Sequence, residues 1–240
     1  MSYGLEKYDL KKLQYISKKL GVKPKRKKED CIKDIEKCFG EYEKYRETKD
    51  IWKKKNILGE KGKEGTTYLV LDNTGKKYAM KTFREKKSIN KLKLEYELQK
   101  KASEVKVAPK IYDVDFVHKW IVMEKMDSHL YDSIIKEGLD KDSQERIIEI
   151  FKKLDSIGVF HNDANITNYM LKRGKIYLID YGFSKEITSS LKKKLDTETP
   201  NLKLMTIGLV LKLKEMGLNR DNYKYLLKYI SDQDKKNFKI

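Results

Sequence analysis

The sequence has few cysteines, few prolines and no long apolar run. Its 240 residues include two Cys and three Pro. Cys31 and Cys38 lie seven residues apart in a Lys- and Glu-rich stretch, too far along a helix axis to form a disulfide, so we expect reduced thiols. No apolar run approaches the roughly 18 residues of a spanning helix, and the start of the chain has no apolar signal core. We therefore expect an intracellular protein, cytoplasmic or nuclear, without membrane contact.

Arginine is also scarce, although the chain is strongly basic. Lys and Arg number 55 against 37 Asp and Glu, a formal net charge of +18, yet only six of the basic residues are Arg. The charge favours polyanionic partners such as nucleic acid, anionic surfaces or acidic proteins. Because bidentate contacts with guanine rely on Arg, the composition gives little support to sequence-specific base readout. The hydrophobic share of 39% still permits a sizeable core, which excludes a wholly disordered chain.

Residues 1–48 have the pattern of a small helical module. Apolar residues recur at three- and four-residue steps from Leu10 to Leu20, which predicts a helix that Gly21 ends. A basic connector with one Pro occupies residues 22–28, and a second periodic stretch covers residues 31–38. We expect a charged linker at residues 49–55.

This order of helix, basic connector and helix resembles a SAP-type module. In that family the connector and the start of the second helix bind DNA. The resemblance implies DNA contact through four basic residues, Lys25, Arg26, Lys27 and Lys28. A solvated helical hairpin packed on the next domain is the interpretation that stays open beside it.

From Asn56 onward the pattern changes to strands and then to helices. Alternating β-branched and aromatic residues predict strands at 66–72 and 77–83, joined by an N-T-G turn. Further strands are predicted at 110–115, 120–123 and 175–180, with a charged helix around Leu98 and an amphipathic helix at 147–157.

Two carboxylates and one amide lie where phosphoryl transfer would need them. Asp163 and Asn168 belong to H-N-D-A-N-I-T-N, and Asp180 belongs to I-D-Y-G-F at the end of a predicted strand. Phosphoryl transfer requires a carboxylate that orients and deprotonates the acceptor hydroxyl, and oxygen ligands that hold Mg²⁺ against the phosphates. Asp163 fits the first task, while Asn168 and Asp180 fit the second. Upstream, Lys81 lies on a predicted strand behind a glycine-rich loop that can approach phosphates.

Together these motifs resemble the eukaryotic-type protein kinase family across residues 55–220. The glycine loop, Y-A-M-K, a helix with a Glu, a hinge, H-x-D-x-x-x-x-N and D-Y-G follow one another in the family's order. The resemblance implies an α+β fold with an antiparallel sheet in an N-lobe at 56–126, which includes the hinge, and a shortened helical C-lobe at 127–240. The implied activity is transfer of the ATP γ-phosphate to a Ser or Thr hydroxyl of a protein, with Mg²⁺ or Mn²⁺ as the metal.

The resemblance also implies roles for individual residues. Lys81 would contact the α- and β-phosphates and pair with Glu95, with Glu97 as the other choice on that helix. Asp163 would be the catalytic carboxylate, and His161 would be a structural residue of its loop. The remaining implied ligands are Gly59, Gly62 and Gly65 for the phosphates, backbone groups of Glu124 and Met126 for adenine, and Asn168 and Asp180 for the metal.

The sequence departs from the family pattern at several points. The loop reads G-x-x-G-x-x-G, Asn165 stands where a Lys is usual, and Lys203 stands where an Asp is expected five residues before Gly208. No A-P-E follows D-Y-G, and the short C-terminal part is similar to the RIO group and to the kinase subunit of the tRNA-modifying KEOPS complex. Two other interpretations stay open: a small-molecule kinase of the choline or aminoglycoside type, and a weakly active scaffold that binds nucleic acid or a partner protein.

Overall fold

The computed structural model describes residues 5–46, 51–59, 62 and 64–240. The chain divides into two compact units. The first comprises residues 1–94 and 112–123, and the second comprises residues 95–111 and 124–240. The helical module predicted at residues 1–48 therefore falls within the first unit.

Two helices form the N-terminal part of the first unit, α1 (Leu10–Lys19) and α2 (Lys28–Arg46). The Asp9 carboxylate caps α1 by accepting the Lys12 N–H at 2.7 Å. The buried residues of this pair are Leu5, Leu13, Cys31 and Ile35. Both cysteines are free thiols, as expected, although Cys31 is wholly buried.

A five-stranded sheet forms the rest of the first unit. Its strands are β1 (Lys53–Ile57), β2 (Gly65–Leu71), β3 (Lys77–Phe83), β4 (Ile111–Asp115) and β5 (Trp120–Glu124), in the order β1-β2-β3-β5-β4. Strands β2 and β3 pair antiparallel along their whole length, and the Asp72 carboxylate closes their turn by accepting the Thr74 and Lys76 N–H groups. Val70, Met80 and Val122 are among the buried residues of the sheet.

Strand β1 begins inside the segment predicted as a linker. Lys53 pairs with Leu71 at the sheet edge, and all five residues of β1 are exposed. An exposed edge strand needs no alternation of apolar and polar residues, so the three consecutive lysines were indistinguishable from a charged linker.

Helix α3 (Ile89–Glu104) follows β3 in the chain, and the second unit is mainly helical. Its helices are α4 (Leu130–Glu137), α5 (Lys141–Ser156), α6 (Ser189–Leu195), α7 (Thr206–Glu215) and α8 (Asp232–Phe238). Short strands β6 (Ser128–His129), β8 (Tyr169–Lys172) and β9 (Lys175–Leu178) form one small sheet, while β7 (Val159–Phe160) pairs with β10 (Lys185–Glu186).

The core of the second unit is built on α5 and α7. Phe151, Leu154, Leu209 and Leu213 are all fully buried. Helix α5 begins six residues before the predicted start, because the Asp140 carboxylate caps it at the Ser143 N–H. An antiparallel sheet with a largely helical second unit confirms the predicted α+β class. Among the helices that the structure describes, none has both the length and the apolar character needed to cross a bilayer.

Candidate active site

The loop between β7 and β8 carries the H-N-D-A-N-I-T-N motif, and His161 is its buried centre. The imidazole Nδ1 lies 3.1 Å from the Asp163 carbonyl oxygen, and Nε2 lies 3.0 Å from the Ile179 carbonyl oxygen. The ring also packs edge to face on Tyr181 at 4.8 Å between centroids. Burial lowers the pKa of His161, and the two carbonyl contacts oppose that effect. His161 thus ties the Asp163 backbone to the chain just before Asp180.

Local hydrogen bonds shape the loop around Asp163. Asn162 takes a left-handed backbone conformation with φ of 62°, and its side chain donates to the Phe183 carbonyl at 3.2 Å. The Asp163 carboxylate accepts the Asn165 N–H at 3.1 Å. Asn165, the departure from the family pattern, caps the next turn by accepting the Thr167 N–H at 3.1 Å. Asn165 therefore has a structural task in this chain that a Lys could not perform.

Asn168 and Asp180, the predicted metal ligands, lie in neighbouring segments of the second unit. The Ile179 N–H donates to the Asn168 carbonyl at 2.9 Å, which connects the two segments directly. Asn168 is 7% exposed, and no described residue is a hydrogen-bond partner of its buried Nδ2. Asp180 has a left-handed conformation with φ of 64°, and its carboxylate accepts the Gly182 N–H at 3.4 Å. One amide oxygen and one carboxylate form a donor set that suits Mg²⁺.

Lys81 and the glycine loop belong to the first unit. Lys81 pairs with Thr67 in the β2–β3 ladder, and its Nζ lies 5.0 Å from the centroid of the Phe83 ring. A Cβ on Gly65 would lie 2.2 Å from the Thr82 carbonyl oxygen, so only glycine fits at this position. Gly59 has a φ of 70°, and Gly62 is described, whereas residues 60, 61 and 63 of the loop lie outside the described residues.

Helix α3 carries both glutamates considered as the partner of Lys81. Glu95 is 2% exposed, whereas Glu97 is exposed. The two side chains therefore lie on different faces of the helix, and the buried one is Glu95.

The predicted hinge follows β5. The Glu124 N–H donates to the Lys110 carbonyl at 2.8 Å, and the Glu124 carboxylate pairs with Lys172 at 3.1 Å. Met126 is buried, and its carbonyl accepts the Lys125 ammonium at 3.0 Å. The Glu124 N–H is thus used by the protein, so adenine contact at this residue would fall to its carbonyl group.

Lys203 and Asn201, both in the segment before α7, have different partners. Lys203, which stands where the family pattern has an Asp, donates its ammonium group to the Asp196 carbonyl at 3.3 Å. Asn201 instead accepts the His161 N–H at 2.9 Å. Residues Asn201–Met205 form a π-helical turn, which alters the spacing to Gly208. The only signal in the sequence was an Asn directly after Pro200.

The four basic residues proposed for DNA contact lie in a connector with a defined path. The Lys25 carbonyl accepts the Gln14 side-chain amide at 2.9 Å, and the Lys28 ammonium donates to the Glu6 carbonyl at 2.7 Å. Lys25 also lies 3.7 Å from the Asp34 carboxylate. Lys25, Arg26 and Lys27 are exposed, and Lys28 is half-buried.

Comparisons with known proteins identify the family. The protein kinase domain family matches residues 52–203. A probable bifunctional tRNA threonylcarbamoyladenosine biosynthesis protein of Methanocaldococcus jannaschii is 36% identical over 78 residues, 32% of this chain and 14% of that protein. The KEOPS complex subunit Bud32 of Pyrococcus abyssi is 30% identical over 83 residues, 32% of this chain and 36% of that protein.

A third relative matches this chain over more residues than the two relatives above. It is a probable serine/threonine-protein kinase BUD32 homolog of Archaeoglobus fulgidus, 26% identical over 110 residues, 45% of this chain and 53% of that protein. The chain thus spans between about a seventh and about half of the length of these three relatives. The match to the family model covers more than half of the chain and confirms the resemblance seen in the motifs. The chain is a member of the protein kinase domain family.

Proposed function

We propose that this chain transfers the γ-phosphate of ATP to a Ser or Thr hydroxyl of a protein. The observation that carries the proposal is the buried His161, which contacts the carbonyls of Asp163 and Ile179 at 3.1 and 3.0 Å. The ring thereby lies between the backbone of Asp163 and that of Ile179, and when neutral it donates a hydrogen bond to one of these two carbonyls. Pre-organised charge of this kind is the main contribution a protein makes to phosphoryl transfer.

Asp163 performs the proton transfer in this proposal. Its carboxylate accepts a hydrogen bond from the acceptor hydroxyl and orients the oxygen toward the γ-phosphorus. As the new oxygen–phosphorus bond forms, the bond from the γ-phosphorus to the ADP oxygen breaks, and the hydroxyl proton passes to Asp163. Lys81 contributes positive charge to the α- and β-phosphates, and Gly65 allows backbone to approach them.

Asn168 and Asp180 are the proposed ligands of Mg²⁺. The Asn168 side chain is buried, its Nδ2 has no hydrogen-bond partner among the described residues, and its Oδ1 is the atom that would bind the cation. The Asp180 carboxylate accepts the Gly182 N–H, and carboxylate oxygens are ligands that suit Mg²⁺. Mg²⁺ neutralises charge on the β- and γ-phosphates when it is bound.

The names of the relatives support a protein acceptor. The Archaeoglobus fulgidus protein is called a probable serine/threonine-protein kinase, and the Pyrococcus abyssi protein is called a subunit of a complex. We propose that this chain likewise acts on a protein and works together with a protein partner. A small-molecule acceptor is the outcome to be distinguished from this one in the assay.

The test is a transfer assay with radiolabelled ATP and Mg²⁺ or Mn²⁺ on proteins, choline-like alcohols and the chain itself. Asp163→Asn should abolish transfer and leave ATP binding nearly intact, since this carboxylate meets the acceptor. Asp180→Ala should weaken binding of Mg²⁺-ATP as well. Asp142→Asn, an exposed carboxylate in the first turn of α5, is the matched control and should behave as the parent chain. Full transfer by pure Asp163→Asn protein would refute the proposal.

A second function, DNA contact by the N-terminal connector, is favoured by one observation. The connector backbone is fixed at the Lys25 carbonyl by Gln14 and Cys31, while the side chains of Lys25, Arg26 and Lys27 are exposed. Basic side chains on a fixed backbone lose less conformational freedom when they meet phosphates. We propose weak binding of duplex DNA with little sequence preference, because only one of the four residues is Arg.

The test of DNA contact uses the full chain and a salt titration. Binding should weaken with a log–log slope of about −0.9 for each phosphate neutralised. Changing Lys25, Arg26, Lys27 and Lys28 to Gln should remove most binding. The matched control changes four exposed lysines of the sheet in the same unit, Lys53, Lys54, Lys55 and Lys77, to Gln. Equal losses in the two variants would mean that overall charge, not the connector, binds the DNA.

A further inference from the structure

Lys87 is a buried lysine that lies outside every motif recognised in the sequence. Its side chain is 7% exposed, and it belongs to the turn between β3 and α3. A lysine is rarely buried to this extent unless charged or polar partners replace the water around its ammonium group. The groups around the Lys87 Nζ therefore indicate what this residue does.

One partner of Lys87 is a carboxylate of the glycine-rich loop, residues 59–65. The Lys87 Nζ lies 2.5 Å from the Glu64 Oε2 and 4.6 Å from the centroid of the Phe83 ring. The Glu64 side chain is 38% exposed, so solvent reaches the ion pair mainly from the carboxylate side. Glu64 directly precedes Gly65, at which no side chain fits. Lys87 thus holds the loop one residue before β2 begins.

Arg84 holds the same loop at two further points. Its backbone N–H donates to the Glu64 carbonyl at 3.0 Å, which continues the β2–β3 pairing by one residue. Its guanidinium donates to the Gly62 carbonyl at 3.2 Å. Together with the Lys87 ion pair, these contacts join the second half of the loop to one short turn.

The turn that carries Arg84 and Lys87 is itself fixed to the sheet. The Lys87 N–H donates to the Arg84 carbonyl at 3.0 Å and closes the turn. The Phe83 N–H donates to the Lys119 carbonyl at 2.8 Å, and the Lys119 ammonium donates to the Glu85 carbonyl. Lys119 directly precedes β5, the neighbour of β3 in the sheet. Because the turn is held by this neighbouring strand, its contacts restrict the loop and do not simply move with it.

We propose that Lys87, acting through Glu64, is a positioning residue for the phosphates of the nucleotide, and that Arg84 acts with it. The proposal rests on the proposed kinase function, in which the glycine-rich loop approaches the phosphates of ATP. Lys87 touches neither nucleotide nor acceptor in this scheme. Its ion pair holds the backbone before Gly65 in one conformation in advance, so that less conformational freedom is lost when ATP binds.

Two lysines lie near the Phe83 ring, and they have different tasks. The Lys81 Nζ lies 5.0 Å from the ring centroid and the Lys87 Nζ lies 4.6 Å from it. Lys81 is the proposed contact of the α- and β-phosphates. The Glu64 carboxylate at 2.5 Å offsets the charge of Lys87, so Lys87 contributes position and not positive charge. Loss of Lys87 should therefore weaken nucleotide binding and leave the phosphoryl-transfer step nearly unchanged.

The experiment measures the dissociation constant of Mg²⁺-ATP and steady-state kinetics on the full chain. Lys87→Met keeps an unbranched apolar side chain and removes the ammonium group. It should raise both the dissociation constant and the KM for ATP at least about fivefold, with kcat changed less than about twofold. It should also speed amide hydrogen exchange of the Arg84 N–H, which donates to the loop, at least about tenfold. Lys86→Met, an exposed lysine of the same turn, is the matched control and should behave as the parent chain.

A double-mutant cycle covers the case in which Lys87→Met fails to fold. Glu64→Gln should raise the KM for ATP as Lys87→Met does, and Glu85→Gln, an exposed carboxylate of the turn, should not. The double variant Glu64→Gln/Lys87→Met should lose no more than the worse single variant, because both remove one contact.

Two results would overturn the proposal: additive losses in the double variant, or a rise in KM for Glu64→Gln and Lys87→Met no larger than for their controls. Binding is measured without phosphate transfer, so the two proposals can fail separately. If the parent chain binds no ATP while Lys87→Met still speeds exchange at Arg84, the kinase proposal fails and the anchoring of the loop by Lys87 stands.

Discussion

Gly208 of α7 lies directly against Ala164 of the catalytic loop. A Cβ on Gly208 would lie 2.7 Å from the Ala164 Cβ, closer than two such carbons can approach. Ala164 is the neighbour of Asp163, so this contact sets how closely α7 supports the loop that carries the catalytic carboxylate. Two small residues are required at this point because the backbones themselves are close.

Gly208→Ala should therefore destabilise the protein, although Ala is the better helix former by about 1 kcal/mol. Overpacking of a tight contact costs about 1–3 kcal/mol, and it should also displace Asp163 and reduce transfer. Thermal unfolding and kcat provide the measurements. The double variant Gly208→Ala/Ala164→Gly removes the clash and should recover both. If the Gly208→Ala protein is more stable than the parent, the catalytic loop at Ala164 can move to accept the extra methyl group at little cost.

Lys81 and Glu95 should both be needed for transfer. Lys81→Met should keep the fold and lose nearly all activity, because no other group supplies its charge to the phosphates in our proposal. Glu95→Gln should lose most activity, and the exposed Glu97→Gln is the matched control that should lose little. Activity and thermal unfolding of the three proteins give the comparison. If Glu97→Gln reduces activity and Glu95→Gln does not, then Glu97 and not Glu95 is the functional glutamate of α3.

The stability of the protein should decrease in acid partly because of His161. Burial lowers its pKa in the folded state, so the folded chain keeps the ring neutral while the unfolded chain takes up a proton below its ordinary pKa of 6.5. Each such proton reduces the free energy of unfolding by up to about 1.4 kcal/mol per pH unit. Urea unfolding at several pH values should show this slope, and His161→Gln should flatten it. An equal slope in both proteins would mean that His161 is charged when folded.

The stability of the Asn201→Asp variant, relative to the parent, should change with pH in the direction opposite to the change expected from His161. Its new carboxylate would face Asp155. Burial raises the pKa of Asp155 above its ordinary value, and its N–H donors and Lys192 oppose part of that rise. The pair would hold a shared proton with a raised pKa, so the repulsion is relieved as the pH falls. The loss of melting temperature relative to the parent should shrink between about pH 8 and about pH 5. A loss that does not depend on pH would exclude direct contact of the two carboxylates.

The sequence by itself determined the family and the local shape of the site. The H-N-D-A-N-I-T-N motif places His161, Asp163 and Asn168 within eight residues, so their chemistry could be recognised without a fold. The β2–β3 hairpin could also be predicted from the sequence, since alternating apolar residues on both sides of N-T-G specify the strands and their turn. The choice of Glu95 came from the family resemblance, in which an apolar residue, here Leu98, follows three positions after the glutamate, and Glu95 is buried.

Only the tertiary structure decided what supports these residues. Strand β1 exists because an edge of the sheet was available to Lys53, not because of its own pattern. Asn201 reaches His161 across 40 residues of chain, and Asp155 reaches Asn201 across 46. A backbone N–H is the same in every residue except Pro, so no sequence pattern shows which side chain will accept it. That pairing is set by the packing of α5 and α7 around the loop, because burial obliges each polar group to find a partner there.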